Sequence, residues 1–286
     1  MQDTRLYDMV KSGQFVTAPG IQDMITAVIA RKVGFDAVYG SGYWLTASGL
    51  GLPDAGIASV TQMVDRMEKL VESAKTPVIA DADTGFGGLL NVHHTVLAYE
   101  KAGVAAMQIE DQEFPKKCGH TPFKRVIPVE DMVEKIKVAC DARKDEKFLI
   151  IARTDVMQSG GYNAVEDRMG AFAEAGADIL FPEALTNTDD MRRICQTIDT
   201  PMLANMADGG LTPIRPVSEL EELGFKMAIF PAMTSLVAAR AVEVSLQRLK
   251  ETGTSLEGPE LFDFKEFCEL IGFDKVWEFE RKWAKD

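Results

Sequence analysis

The stretch Val96-Leu97-Ala98-Tyr99-Glu100-Lys101-Ala102-Gly103-Val104-Ala105-Ala106-Met107-Gln108-Ile109-Glu110 decides the fold. Its first half reads as the end of an amphipathic helix and its glycine as a left-handed C-terminal cap. Its second half reads as a short apolar strand ending in a carboxylate. The same unit recurs. Ala27 to Val33 leads through Gly34 to Ala37-Val38-Tyr39-Gly40-Ser41. Ala171 to Ala175 leads through Gly176 to Asp178-Ile179-Leu180-Phe181-Pro182-Glu183, and Leu220 to Leu223 through Gly224 to Met227-Ala228-Ile229-Phe230-Pro231. Such short, continuous apolar runs suit strands buried on both faces of a parallel sheet. Further strands are expected at Phe15 to Ala18, Val78 to Ala82, Phe148 to Arg153 and Met202 to Met206. Eight strands alternating with helices over about 240 residues favour a closed (β/α)8 TIM barrel over an open doubly wound sheet.

Beyond strand eight a long helix, Thr234 to Lys250, leads through the Gly253 to Pro259 connection to a segment carrying Phe262, Phe264, Phe267, Phe273, Trp277, Phe279 and Trp283. Aromatic residues at roughly helical spacing are packing material. The expected organisation is a single barrel domain over residues 1–286. Residues 234–286 form its C-terminal helical extension, packed on the barrel or on a neighbouring subunit.

A net charge of −13 disfavours nucleic acid as a partner, because phosphate binding needs concentrated Lys and Arg. It leaves room for a small anion, which responds to the local field of a cleft. The cysteines Cys118, Cys140, Cys195 and Cys268 are far apart and form no CxxC pair, so zinc and disulfide frameworks are disfavoured. Met1 to Arg5 lacks the apolar run of a signal peptide, and no run approaches the roughly 18 apolar residues of a membrane span. The expectation is a cytoplasmic protein with no membrane partner. No GxGxxG follows strand one and no GxxxxGK[ST] occurs, which weakens dinucleotide and P-loop readings.

Catalytic groups of a parallel barrel sit where strands end. Here those ends carry Ser41-Gly42-Tyr43-Trp44 with Asp54 in the following loop, Asp81-Ala82-Asp83, Glu110-Asp111-Gln112, Arg153-Thr154-Asp155, Glu183, Asn205 and Pro231. Asp81 and Asp83, two apart, are expected to share a face of an extended segment. With Glu110 they make an all-oxygen, anionic pocket suited to Mg²⁺ or Mn²⁺. Arg153 is read as a bidentate clamp on a substrate carboxylate, a carboxylate-paired group in the barrel mouth, or both. Glu183 either accepts from substrate or orients Arg153. His93 and His94 are read as structural or surface.

Lys116-Lys117-Cys118-Gly119-His120 follows strand four. Cations beside a thiol stabilise its thiolate, which makes Cys118 a usable proton carrier. Gly119 lets the backbone approach a ligand, and His120 is read as an acid/base or a substrate partner.

This pentapeptide resembles the active-site motif of isocitrate and 2-methylisocitrate lyases. Asp81 to Gly87 resembles the metal loop of the wider isocitrate lyase/phosphoenolpyruvate mutase superfamily. Gly40-Ser41-Gly42, Leu52-Pro53-Asp54, Ile109 to Gln112, Ala152 to Asp155, Phe181 to Ala184 and Asn205-Met206 resemble further blocks of it, in the same order. The resemblance implies a (β/α)8 barrel, usually a homotetramer, whose eighth helix is exchanged between subunits. It implies Mg²⁺ at Asp81, Asp83 and Glu110. It also implies a substrate carboxylate at Ser41, Gly42 and Tyr43, a pocket completed by Asp54, Lys116, Gly119, Arg153, Glu183 and Asn205, and Cys118 as the proton donor at carbon. The segment Asn205 to Pro213, with Gly209-Gly210, is similar to the branch acting on dicarboxylates rather than tricarboxylates. Tyr43 and Trp44 add apolar bulk. The implied activity is cleavage of a substituted malate: first 2,3-dimethylmalate to pyruvate and propanoate, second 2-methylisocitrate to pyruvate and succinate, third hydrolysis or decarboxylation of oxaloacetate.

Overall fold

The computed structural model describes residues 3–119 and 124–284. In chain order the elements are α1 (Arg5–Ser12), β1 (Val16–Ile21), α2 (Met24–Val33), β2 (Val38–Gly40), α3 (Gly42–Leu50), α4 (Val60–Ala74), β3 (Val78–Asp81) and α5 (Leu89–Ala102). They continue with β4 (Ala106–Glu110), α6 (Val129–Ala142), β5 (Leu149–Thr154), α7 (Met157–Glu174), β6 (Ile179–Pro182), α8 (Thr188–Thr197) and β7 (Leu203–Asn205). The last are α9 (Val217–Leu223), β8 (Met227–Phe230), α10 (Met233–Thr252), α11 (Phe264–Ile271) and α12 (Phe273–Trp283).

The strands pair in parallel in the order β6-β5-β4-β3-β2-β1-β8-β7. A parallel bridge from Leu180 to Met202 brings the two ends together into a nearly closed barrel. The expected strands are all present, with ends moved by one to three residues. The expected helix caps hold: Gly34, Gly103, Gly176 and Gly224 have φ of 95°, 87°, 101° and 108°, where a β-carbon would be strained. Gly20 serves closure instead. A Cβ there would lie 2.2 Å from the Pro231 carbonyl oxygen across the β1–β8 seam.

Side chains alternate between two cores. Val16, Ala18, Tyr39, Ile79, Ala106, Leu149, Ile151, Ile179, Phe181, Leu203, Met227 and Ile229 fill the barrel interior, and Leu6 of α1 joins them. Their neighbours Val38, Val78, Ala80, Met107, Ile109, Ile150, Ala152, Leu180 and Ala204 face outward against the helices. Continuing the inward parity to the strand ends gives Ser41, Asp81, Glu110, Arg153, Glu183 and Asn205. The site is therefore the next inward layer of the barrel, with its apolar filling replaced by polar groups.

The C-terminal extension divides. Cys268 of α11 is buried, whereas α12 buries nothing within this chain. Phe264, Phe279 and Trp283 are 80%, 65% and 62% exposed, and Val237, Val242 and Leu246 of α10 are similarly bare. Of the two expected packing partners, the chain's own barrel does not cover α12.

Phe172 on α7 is fully buried in the outer core. Phe172→Ala is expected to lower unfolding stability by about 3–5 kcal/mol in urea denaturation, through lost transfer energy and the cavity left behind. A loss near zero would mean the helix layer does not pack as described.

Candidate active site

At the C-terminal mouth of the barrel lies a cavity of about 320 Å³. That is the low end for a ligand pocket and suits a small acid. Ser41, Tyr43, Trp44, Asp54, Asp81, Glu110, Lys116, Cys118, Gly119, Arg153 and Asn205 line it. The sequence reading therefore places most of its residues around one space. His120 lies outside the described residues.

Arg153 is the centre of the site. Its Nε and Nη2 donate to the two Asp155 oxygens at 2.9 and 3.0 Å. It lies 3.3 Å from both Glu110 Oε2 and Glu183 Oε2, and 5.0 Å above the Phe181 ring. Burial alone would lower its pKa, but Asp155, Glu110 and Glu183 hold it well above its ordinary value. The pairing reading of Arg153 is thus realised while the residue still faces the cavity. Glu183 takes the orienting half of its expected role. It is fully buried behind Arg153, accepts from Asn205 Nδ2 at 2.8 Å and from its neighbour Ala184 N–H at 2.8 Å, and is not among the cavity-lining residues.

Lys116 also differs from expectation. Its ammonium bridges Asp54 at 2.6 Å and Asp83 at 2.8 Å, with 3% of the side chain exposed. It pairs with carboxylates while also lining the cavity. Burial would lower its pKa, yet Asp83, Asp81, Glu110 and Asp54 raise it well above the ordinary value.

Asp81 and Asp83 converge by a different route from the expected extended pair. The strand stops at Asp81, and Asp83 has φ of 50°, so a left-handed turn supplies the second carboxylate. Asp83 N–H donates to Asp81 Oδ1 at 3.0 Å, and Gly42 N–H to Asp81 Oδ2 at 3.1 Å. That Gly42 donor is therefore engaged by Asp81, not pointed at a substrate carboxylate.

The carboxylates outnumber the cations. Burial, with Asp81 and Asp54 nearby, pushes Asp83 up to about 7 against the pull of Lys116. Burial likewise raises Asp54, and raises Glu110 well above the usual carboxylate range despite Arg153. Asp155 goes the other way, to about 2: burial would raise it, but Arg153 and Lys124 stabilise its charge. Such a cluster favours one more positive charge. Its donors are all oxygens, which fits Mg²⁺ or Mn²⁺. Among the described residues no three acids, histidines or cysteines already form a cage.

The lining also includes Tyr43, Trp44, Ile229, Pro231, Ala232 and Leu236, which add apolar surface. Tyr43 and Trp44 pack edge-on with centroids 4.7 Å apart. Half-buried Cys118 shares the cavity with Arg153 and Glu110. Burial pushes Cys140 up, and Cys195 to about 12, so those thiols stay protonated and carry no such role.

Several residues escaped the sequence reading. Gln112 grips the cysteine loop, with Nε2 donating to the Lys117 carbonyl at 2.9 Å and Oε1 accepting from Lys117 N–H at 3.0 Å. Asp111 accepts from Thr154 and Arg168 beneath Asp155, and Lys124 reaches Asp155 from beyond the loop. The acids at 111 and 155 stood visibly at strand ends. Nothing local marked Lys124 or Arg168.

Residues 6–250 match the family described as phosphoenolpyruvate phosphomutase. The chain belongs to the phosphoenolpyruvate mutase/isocitrate lyase superfamily. It is 43% identical over 281 residues to 2,3-dimethylmalate lyase of Eubacterium barkeri, covering 98% of this chain and 97% of that one. It is 41% identical over 269 residues to 2-methylisocitrate lyase of Aeropyrum pernix, covering 94% and 86%. A crystal structure of 2,3-dimethylmalate lyase in a trigonal form matches with a TM-score of 0.90 at 34% identity, covering 99% of this chain and 95% of the other. Superfamily membership accounts for the fold and for the clustering of polar groups at one barrel mouth.

The raised Asp83 carries a pH dependence. Its carboxyl holds a proton in the folded chain up to about 7 but only to its ordinary 3.8 when unfolded. Its contribution is therefore neutral to folding below 3.8 and increasingly unfavourable up to about 7. In metal-free protein, wild-type stability relative to Asp83→Asn is expected to fall across that window by about 1 kcal/mol per pH unit. Urea titrations of both proteins at several pH values check this; a difference that rises with pH contradicts it.

Proposed function

We propose that this protein is a divalent-metal-dependent carbon–carbon lyase that cleaves a substituted malate, first 2,3-dimethylmalate, to pyruvate and propanoate. The observation that carries the proposal is the mixed lining of one cavity: a buried carboxylate and guanidinium cluster, apolar side chains and a thiol all border it. A small dicarboxylate with alkyl substituents matches that lining. The identity of 43% to 2,3-dimethylmalate lyase over nearly the whole chain supports the same substrate.

Asp81, Asp83 and Glu110 would hold Mg²⁺ or Mn²⁺, partly through water. An ion bound there would lower the substrate hydroxyl pKa and stabilise charge on the oxygen that becomes the carbonyl. The chain's own groups do the rest. Ser41, at the N-terminus of α3, leaves its hydroxyl out of helix capping and lines the cavity, where the helix end favours a substrate carboxylate. Arg153 is held rigid by its own carboxylates and offers cationic charge without reorganisation. The substrate hydroxyl gives its proton to a carboxylate of the cavity lining and becomes the C2 carbonyl of pyruvate. The C2–C3 bond breaks, and its electron pair passes to C3 as the enediolate of propanoate. Cys118 gives its proton to that carbon. Tyr43, Trp44 and Leu236 exclude water and accept the methyl groups.

A second substrate, 2-methylisocitrate, is favoured by one observation besides the relative at 41% identity. Lys117 lines the cavity, is exposed, and has no ion pair among the described residues, so it is available to a third carboxylate. Oxaloacetate stands third. Homotetramer formation through the uncovered faces of α10 and α12, and a cytoplasmic location, belong to the same proposal. No helix among the described residues is long and apolar enough to cross a membrane.

Substituted malates, 2-methylisocitrate and oxaloacetate are to be offered with excess Mg²⁺ and with EDTA, with pyruvate and oxalate both assayed. Pyruvate from 2,3-dimethylmalate, abolished by EDTA, is expected; oxalate from oxaloacetate without any pyruvate contradicts the proposal. Cys118→Ser is expected to lower kcat about 10²–10⁴-fold with substrate binding retained, the range for losing a positioned acid. Wild-type turnover in that variant removes the thiol from the mechanism.

A further inference from the structure

The loop carrying Cys118 is fastened on both sides of the thiol by single side chains. On the near side Gln112 holds both the N–H and the carbonyl of Lys117. On the far side the fastening comes from Lys124. Its side chain is only 2% exposed, and its ammonium donates to the Gly119 carbonyl and, at 2.7 Å, to Asp155 Oδ1.

Gly119 completes a ring. A β-carbon at Gly119 would lie 2.0 Å from Arg153 Nη2 and 3.1 Å from Asp155 Oδ1. The backbone beside the thiol therefore rests directly on the guanidinium edge, where only glycine fits. Arg153 is itself fixed by Asp155 through two hydrogen bonds. Lys124, Gly119, Arg153 and Asp155 thus constrain one another in a closed circuit, and Lys124 joins the Gly119 carbonyl to the Asp155 carboxylate.

Burying an ammonium costs several kcal/mol unless partners repay it. An apolar side chain would fill the same space without that cost. What it cannot do is hold a loop carbonyl and a strand-end carboxylate at once. Lys124 does not line the cavity, so it acts through its neighbours rather than on the substrate.

We propose that Lys124 is a positioning residue: by tying the Gly119 carbonyl to Asp155 it sets Cys118 in register with Arg153. The proposal rests on the reading of Cys118 as proton donor. Misplacing a reacting group by about 1 Å costs on the order of 10²-fold in rate, and this circuit controls such a displacement.

The test compares full-length wild type with Lys124→Met, a neutral side chain of similar length, in the presence of Mg²⁺. Hydrogen exchange read by mass spectrometry needs no substrate, so it separates failure of this proposal from failure of the substrate assignment. Uptake is expected to rise in peptides covering residues 115–124 and to stay unchanged in β4 and β5. With whichever acid is turned over, kcat is expected to fall about 10²-fold while KM stays within about threefold. Unchanged uptake over 115–124, a rise spread equally over the barrel strands, or an unchanged kcat each overturns the proposal.

Discussion

The rest of the site depends on how a single guanidinium is buried. Arg153 sits at the end of β5 among carboxylates from three strand ends: Glu110 closing β4, Asp155 just after β5 itself, and Glu183 just after β6. An arginine this deep is tolerated only because its charge and its donors are matched. The match fixes more than Arg153. Asn205 at the end of β7 is bound to Glu183, and Gly119 of the thiol loop lies against the guanidinium. Four strand ends and the loop thereby acquire a common reference.

The second half of the mouth is also short of positive charge. Among the described residues Asp54, Asp81 and Asp83 have Lys116 between them, and burial holds Asp83 and Asp54 above the ordinary carboxylate range. Nature's usual remedies are a proton or a cation. A divalent ion held there would supply the missing charge in the place where a 2-hydroxy acid would need it. A net charge of −13 does not stand against an anionic substrate, because the field in a cleft is set by its local groups and not by the overall charge.

Much of this was legible in the sequence, for a simple reason. The interior of a parallel barrel is read at every second residue, so the inward parity of Tyr39, Ile79, Gln108, Ile151, Phe181 and Leu203 extends to the polar residues two places on. Capping glycines gave the phase of each unit. The sequence misled where parity stops. Asp83 reaches the site through a left-handed turn, which no period-two rule describes. Lys116 and Lys117 look alike in sequence, yet one is buried between two aspartates and the other is exposed. Only the fold brings Asp54 to Lys116, across 62 positions in the chain. Lys124 was invisible because its partners, Gly119 and Asp155, are meaningful only once the loop has been laid on Arg153.

The central claim is that the departing carbanion takes its proton from a fixed thiol on one face. Turnover of 2,3-dimethylmalate with Mg²⁺ in D₂O tests this directly, with the products read by NMR and the configuration of the propanoate read by NMR of its ester with a chiral alcohol. The account predicts pyruvate together with propanoate carrying one deuterium at C2 in a single configuration. Propanoate of mixed configuration, or the absence of pyruvate, would contradict it.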